Sequence, residues 1–195
     1  MNYSGNTIIY KIASNLETSS SKAYLAQLRQ SLSRDIYTAA GVFPLIFSNI
    51  SEQYLGDGGK LTDGERAIIT ALQLYALHQQ GKASNVNITD NSSEGRRGKN
   101  LGAVLNSLRI EKDSQAVDRR FNAMITANNF DELVTHLRHL IKLLKARSES
   151  RINYPKLAEE LFFYQKGFEK NLRLNWSRSY YRQTNNKIGA KKDEE

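Results

Sequence analysis

Between Thr62 and Gly81 the sequence leaves little choice of structure. Thr62-Asp63-Gly64-Glu65 is a capping box: the Thr62 hydroxyl can accept from the third backbone N–H of a helix while Glu65 reaches back to cap the first. The helix it opens runs to about Gln80, and Gly81 suits the left-handed position just past a helix end. Ile68, Ile69, Leu72, Leu74, Tyr75, Ala76 and Leu77 surround most of its circumference. A helix that is apolar nearly all round has to be enclosed by other elements. This segment therefore predicts the central helix of a bundle. The 195 residues include only two prolines, and glycine clusters are few, which favours long helices over a turn-rich β fold.

Helical spacing of apolar residues marks the remaining elements. Tyr24, Leu25, Leu28 and Leu32 place a helix over about 20–33, and a short one follows from about Pro44 to Tyr54. Ile8, Ile9, Tyr10 and Ile12 fit a short strand or a loose segment alike. Residues 81–98 are polar and without period, the longest loop, ending in Arg96-Arg97-Gly98-Lys99. Leu101, Val104, Leu105 and Leu108 mark the next helix, and Ile110 to Asp113 reads as a connector. A helix from about Ser114 buries Val117, Phe121, Met124 and Ile125. Another from about Asn129 to Arg147, with Glu132 at the capping-box position, buries Leu133, Leu137, Leu140, Ile141 and Leu144. Pro155 suits a first helical turn, ahead of Leu157, Leu161 and Phe162. After Gly167 a last helix aligns Phe168, Leu172, Trp176 and Tyr180 on one face. The expectation is an all-α protein of about eight helices in two small packed bundles, 1–110 and 111–182, with a solvated tail at 183–195.

Charge is unevenly divided. Residues 1–95 hold 7 Lys and Arg against 8 Asp and Glu, residues 96–182 hold 18 against 9, and residues 183–195 hold 3 of each. A basic half-chain attracts a polyanion, and for a soluble protein the first candidate is nucleic acid. At about 100° per residue, Arg138, Lys142 and Lys145 form a stripe opposite the leucines of helix 129–147. Arg119 points away from Val117, Phe121 and Met124, and Arg120 flanks them. Asn171, Asn175, Arg178 and Arg182 form a second polar stripe beside the Trp176 face. With the Arg96-Arg97-Gly98-Lys99 loop end, these elements can line a phosphate-tracking groove. A solvated helix surface is the plainer reading of each stripe taken alone. Trp176, Phe121, Phe162 and Phe168 sit at core spacing. Tyr181 falls off the apolar face and is the candidate for stacking on a base.

No catalytic constellation stands out. His136 and His139 stand three apart without a third ligand at convincing spacing, so no metal or other cofactor is expected. His78, between the central helix and the polar loop, reads as a hydrogen-bonded structural histidine. Glu159 and Glu160 diverge by about 100° on a helix, against a paired acid–base dyad. Gly56 to Lys60 lacks the hydroxyl of a phosphate-binding loop, because Leu61 follows Lys60. With no cysteine there is no disulfide or thiolate site. The longest apolar run, Val42 to Phe47, is too short to span a bilayer, and Met1 to Asn6 shows no signal-peptide pattern. The expectation is a cytoplasmic, membrane-independent non-enzyme.

A co-linear series of segments resembles a known family. Leu77-His78-Gln79-Gln80-Gly81-Lys82, then Lys99-Asn100-Leu101-Gly102-Ala103-Val104-Leu105, Val117-Asp118-Arg119-Arg120-Phe121 and His136-Leu137-Arg138-His139-Leu140 occur in order. Ile152-Asn153-Tyr154, then Leu172 through Tyr181, complete it. Over about residues 62–182 the chain resembles the CasB small-subunit family of type I-E CRISPR Cascade complexes. Phe162-Phe163-Tyr164-Gln165 stands where the family pattern has a tryptophan.

The resemblance implies an all-helical subunit with no catalytic activity. It implies a head-to-tail pair of copies contacting the guide-RNA-bearing backbone subunits and the large subunit. It further implies that they help hold the guide RNA–target DNA heteroduplex and the displaced DNA strand of the R-loop in antiviral defence. Arg96, Arg97 and Lys99, Arg119 and Arg120, and Arg138 fall on family-like segments. Lys142, Lys145, Arg173, Arg178 and Arg182 are added from helical geometry and charge. The alternative is a sequence-specific helical DNA-binding transcriptional regulator, which would need a recognition helix. A third possibility is a scaffold whose basic surface meets an acidic protein.

Overall fold

The computed structural model describes residues 9, 11–12, 18–32, 36–88, 100–109 and 114–182. Among them the chain is helical: α1 Ser19–Ser31, α2 Phe43–Phe47, α3 Asp63–Gln79, α4 Leu101–Asn106, α5 Ser114–Ile125, α6 Phe130–Arg147, α7 Tyr154–Phe163 and α8 Glu169–Tyr180. Short 3₁₀ turns cover Ile36–Val42 and Glu52–Tyr54, and a π-helical turn, Tyr164–Phe168, joins α7 to α8.

The capping box of α3 is complete. Glu65 N donates to Thr62 Oγ1 at 3.1 Å, and Thr62 N donates to Glu65 Oε2 at 2.7 Å. Beyond Glu65, every residue but Arg66 is buried as far as Gln79. The helix packs against α1, α6 and α7. Burial of each large aliphatic side chain contributes about 1.5–3 kcal/mol. Polar residues inside must then be answered by protein. Gln73 Nε2 donates to Ser31 Oγ at 2.8 Å, and His78 Nδ1 lies 2.9 Å from Tyr154 Oη. Gln79 donates to the carbonyls of Lys82 and Ser84 and accepts from Val86 N. Gly81, at φ 77°, turns the chain past the helix end as expected.

The first sixty residues depart from expectation. Ile9, Lys11 and Ile12 are helical, not strand or loose, and Ile9 and Ile12 are 1% exposed. Two isoleucines three apart share one helical face, and here that face meets the core. The expected helix 44–54 is broken: α2 ends at Phe47, and residues 48–51 separate it from a single 3₁₀ turn. The first part of the polar loop is ordered by pairing. Asn87 bridges Ile152 in parallel, Ile88 N donates to Ile152 O at 3.0 Å, and Ile152 N donates to Val86 O at 3.0 Å.

α7 and α8 fold back on each other at Gly167, whose φ is 87°. Trp176 Nε1 donates to Glu160 Oε2 at 3.0 Å, 16 residues earlier. In a straight helix those residues would stand about 24 Å apart. Phe168 was expected in the core. It lies immediately after the Gly167 corner, before α8 begins, and is 52% exposed beside Phe163.

α4 meets α8 backbone to backbone. A Cβ on Gly102 would sit 2.0 Å from Trp176 O, so only glycine permits the approach. Gly102→Ala is expected to destabilise the fold by about 1–3 kcal/mol or more. Gly58→Ala, where a Cβ meets open space, should leave stability unchanged. Urea denaturation of the two variants checks this.

Candidate nucleic-acid interface

Amphipathic periodicity alone aims the charged residues of α5. Val117, Phe121 and Met124 face the core, which leaves Arg119 exposed on the opposite side and Arg120 exposed on the flank. The neighbouring acid does not neutralise them. Asp118 is engaged inward: Arg109 Nε donates to its Oδ1 at 2.8 Å and Arg109 Nη2 to its Oδ2 at 3.2 Å. Tyr180 Oη donates to the same Oδ1 at 2.7 Å. Burial opposes ionisation of Asp118, but the bonds from Arg109 and Tyr180 outweigh it and hold its pKa below the usual value. Arg119 and Arg120 make no ion pair among the described residues.

On α6, Leu133, Leu137, Leu140, Ile141 and Leu144 are buried as expected. Of the opposite stripe only Lys142 is fully exposed; Arg138 and Lys145 lie half-buried on its flanks. Arg138 Nε is buried with no hydrogen-bond partner among the described residues. Lys145 Nζ donates to Gln80 Oε1 at 2.9 Å. Burial lowers its pKa, and Arg29, Lys82 and Lys142 lower it further by repulsion. The α6 cap differs in one detail from a simple capping box. Asn129 Oδ1 accepts from Glu132 N, but the Glu132 carboxylate accepts from Asn128 N, one residue further back. His136 Nε2 lies 3.7 Å from Glu132 Oε1, and no group of three metal-ligating side chains occurs among the described residues.

α8 presents Asn171, Asn175 and Arg178 to solvent, with Arg182 exposed just beyond its end. Its rear face fixes that orientation. Trp176 bonds Glu160, and Tyr180 stacks on Phe121 with ring centroids 3.7 Å apart. Asn106 Nδ2 donates to Tyr180 O at 2.5 Å, and Asn100 Nδ2 to Asn175 O at 3.1 Å. Arg173 sits differently. It is half-buried and its Nη2 donates to Ala127 O at 2.6 Å and Tyr164 Oη at 3.1 Å, tying the α5–α6 turn to α8. Tyr181 is 40% exposed, but Arg109 covers its ring at 5.1 Å and its hydroxyl donates to Asn122 Oδ1 at 2.8 Å. Arg96, Arg97 and Lys99 lie outside the described residues; Asn100, which follows them, is bonded to α8.

The structure thus keeps Arg119, Arg120, Lys142, Arg178 and Arg182 on the solvent side of three helices, with Arg138 and Lys145 half-buried beside them and Arg173 turned inward. Sequence reading missed Arg109 and Glu160, whose roles depend on partners 9 and 16 residues away. The one available signal was Trp176, since a buried indole N–H calls for an acceptor. Among the described residues no helix is long and apolar enough to cross a membrane.

Residues 24–181 match the family model described as CRISPR-associated protein Cse2. The fold resembles CasB from Thermobifida fusca, with TM-score 0.71 and 22% identity over 92% of this chain and 98% of that one. It also resembles CasB from Thermus thermophilus, with TM-score 0.62 and 20% identity over 91% and 97% of the two chains. For M. ruber CasB the TM-score is 0.58, with 19% identity over 89% and 92%. No curated protein matches the chain in a sequence search.

The half-buried Glu160 and the buried His78 give opposite pH dependences. Burial raises the Glu160 pKa to about 7, although the Trp176 bond and Lys156 oppose that. Its contribution to stability is full below about pH 4.5 and is lost as pH rises to 7. Burial, with Lys82 and Lys145, lowers the His78 pKa to about 4. The neutral imidazole stabilises above about pH 6.5, and that contribution is lost as pH falls to 4. Glu160→Gln should therefore expose the His78 dependence alone. Its stability is expected to rise steadily from pH 4.5 to 6.5 while the parent changes less, as read by urea denaturation across that range.

Proposed function

Because the chain belongs to the CRISPR-associated Cse2 (CasB) family, we propose that it is the non-catalytic small subunit of a type I-E Cascade surveillance complex. In this reading it grips nucleic acid by the phosphate backbone and stabilises the R-loop during antiviral defence. One observation carries the proposal. Arg119, Arg120, Arg178 and Arg182 are exposed and unpaired among the described residues, while Asp118, adjacent in sequence to Arg119, is engaged by Arg109 and Tyr180. Arginine suits the task because its planar fork can donate two bonds to one phosphate. Guide pairing supplies sequence specificity in such complexes, so charge directed at the backbone is sufficient.

The partners in this reading are guide RNA, the heteroduplex and displaced strand of target DNA, the Cascade backbone and large subunits, and a second copy packed head to tail. The setting is the cytoplasm, with no role for a membrane or a cofactor. Arg173 has a structural duty already, so its replacement should cost stability before it costs binding.

Arg119→Ala with Arg120→Ala is expected to weaken binding of single-stranded DNA equally across unrelated sequences. Each lost phosphate contact should flatten the log–log salt slope by roughly 0.7. Fluorescence anisotropy over a salt series with several oligonucleotides measures both. Losses confined to one sequence would instead favour base-specific readout.

A further inference from the structure

Residues 1–95 carry no net positive charge, yet the fold gathers three of their seven cations at one place. A cavity of about 210 Å³ opens between one face of α1 and the C-terminal end of α3. Lys22, Leu25 and Arg29 line it from α1, and Gln79, Gln80 and Lys82 from the end of α3. Lys22 and Arg29 are two helical turns apart and so share a face. Gly81, at φ 77°, folds the chain so that Lys82 N reaches Gln79 O at 3.0 Å, which brings the Lys82 side chain into the lining. α6 closes the neighbourhood through Lys145, whose Nζ bonds Gln80 Oε1 at 2.9 Å.

The charges here do not balance. Arg29, Lys82, Lys142 and Lys145 meet one carboxylate among the described residues, Glu149, which pairs with Lys82 at 2.5 Å. The C-terminal ends of α1 and α3 each supply about half a negative charge. About two positive charges remain unanswered. Arg29, Lys82 and Lys142 are close enough to Lys145 to depress its pKa, and burial lowers that of Arg29. Repulsion and partial desolvation both fall when a multivalent anion enters. Since a water occupies about 30 Å³, the cavity has room for a phosphate group with several waters.

We propose that this cavity is a phosphate-binding site in which Arg29 and Lys82 hold the anion and Lys145 faces it from α6. The guanidinium fork and the ammonium groups match the oxygens of a phosphate near neutral pH. The site is separate from the α5 and α8 surfaces and does not depend on the groove reading. A phosphodiester within a strand, a terminal phosphate and a free phosphate offer the same chemistry.

The test is thermal stability of the full chain titrated with inorganic phosphate at constant ionic strength. The expected result is a saturable rise in melting temperature whose half-saturation concentration increases about tenfold or more in Arg29→Gln, as loss of a charge-assisted contact requires. Lys82→Gln should act in the same direction and carries the test if Arg29→Gln does not fold. Lys60→Gln, an exposed cation in the loop before α3 and outside both sites, should titrate like the parent. A response matched by sodium chloride, or titration of both Arg29→Gln and Lys82→Gln like the parent, overturns the site.

Competition with a short single-stranded oligonucleotide identifies the source of the phosphate. An advantage of the 5′-phosphorylated form over its 5′-hydroxyl twin assigns a strand end. Equal competition assigns an internal phosphodiester, and phosphate binding without competition assigns a free phosphate; each supports the site. Loss of oligonucleotide binding in Arg119→Ala with unchanged phosphate titration would bear on the groove reading alone.

Discussion

Enclosure of α3 is the constraint from which the remaining architecture follows. A helix with no wet face cannot leave a polar side chain to water. Gln73, His78 and Gln79 are therefore answered by Ser31, Tyr154 and the backbone of residues 82–86. Those answers bind α1, α7 and the start of the polar loop to one helix. They also fix the partner of His78 at Tyr154, 76 residues later, across the middle of the chain. Charged residues are left with the outer helices, and the basic surfaces lie there.

Those outer helices divide labour between faces. The rear faces of α5 and α8 are joined by Phe121 on Tyr180 and by the Arg109–Asp118–Tyr180 cluster. The front faces carry Arg119, Arg120, Arg178 and Arg182. Engaging Asp118 with Arg109 and Tyr180 serves both faces, since it anchors α8 and occupies a carboxylate beside the arginines. The same geometry explains why arginines in one short stretch of sequence differ in availability. Arg178 follows the wet side of α8, whereas Arg173 lies toward Tyr164 and the Ala127 carbonyl.

What was legible in the sequence is what periodicity and caps encode. Thr62 and Glu65 gave the start of α3, Asn129 that of α6, and the stripes of α5 and α6 gave their buried faces. These signals are local. The segment around Ile9 and Ile12 was ambiguous because two isoleucines are compatible with either period until something packs on them. Residues 44–54 carried a helical pattern too short to hold a helix without support. Phe168 matched the α8 face by count, but the Gly167 corner takes it out of phase. Neither the pairing of Asn87 with Ile152 nor the cavity beside Arg29 and Lys82 could be seen in any window, since each joins distant segments. Of the candidate site, exposure of Arg119, Arg120, Lys142, Arg178 and Arg182 followed from helical phase. The burial of Arg173 did not, because a guanidinium one step off the apolar stripe is free to turn either way.

The corner at Gly167 sets how α8 is aimed. The Glu160–Trp176 bond closes 16 residues of chain, whereas the Asn100–Asn175 bond closes 75. With closure entropy growing as (3/2)RT ln n, the shorter loop is less costly by about 1.4 kcal/mol. The α7–α8 hairpin is thus a short-range unit whose geometry depends little on the first half of the chain. The contacts that Asn100 and Gly102 make with α8 add rigidity to a direction already chosen locally. Changes in the long polar segment that precedes Asn100 can accumulate with little effect on where Arg178 and Arg182 point.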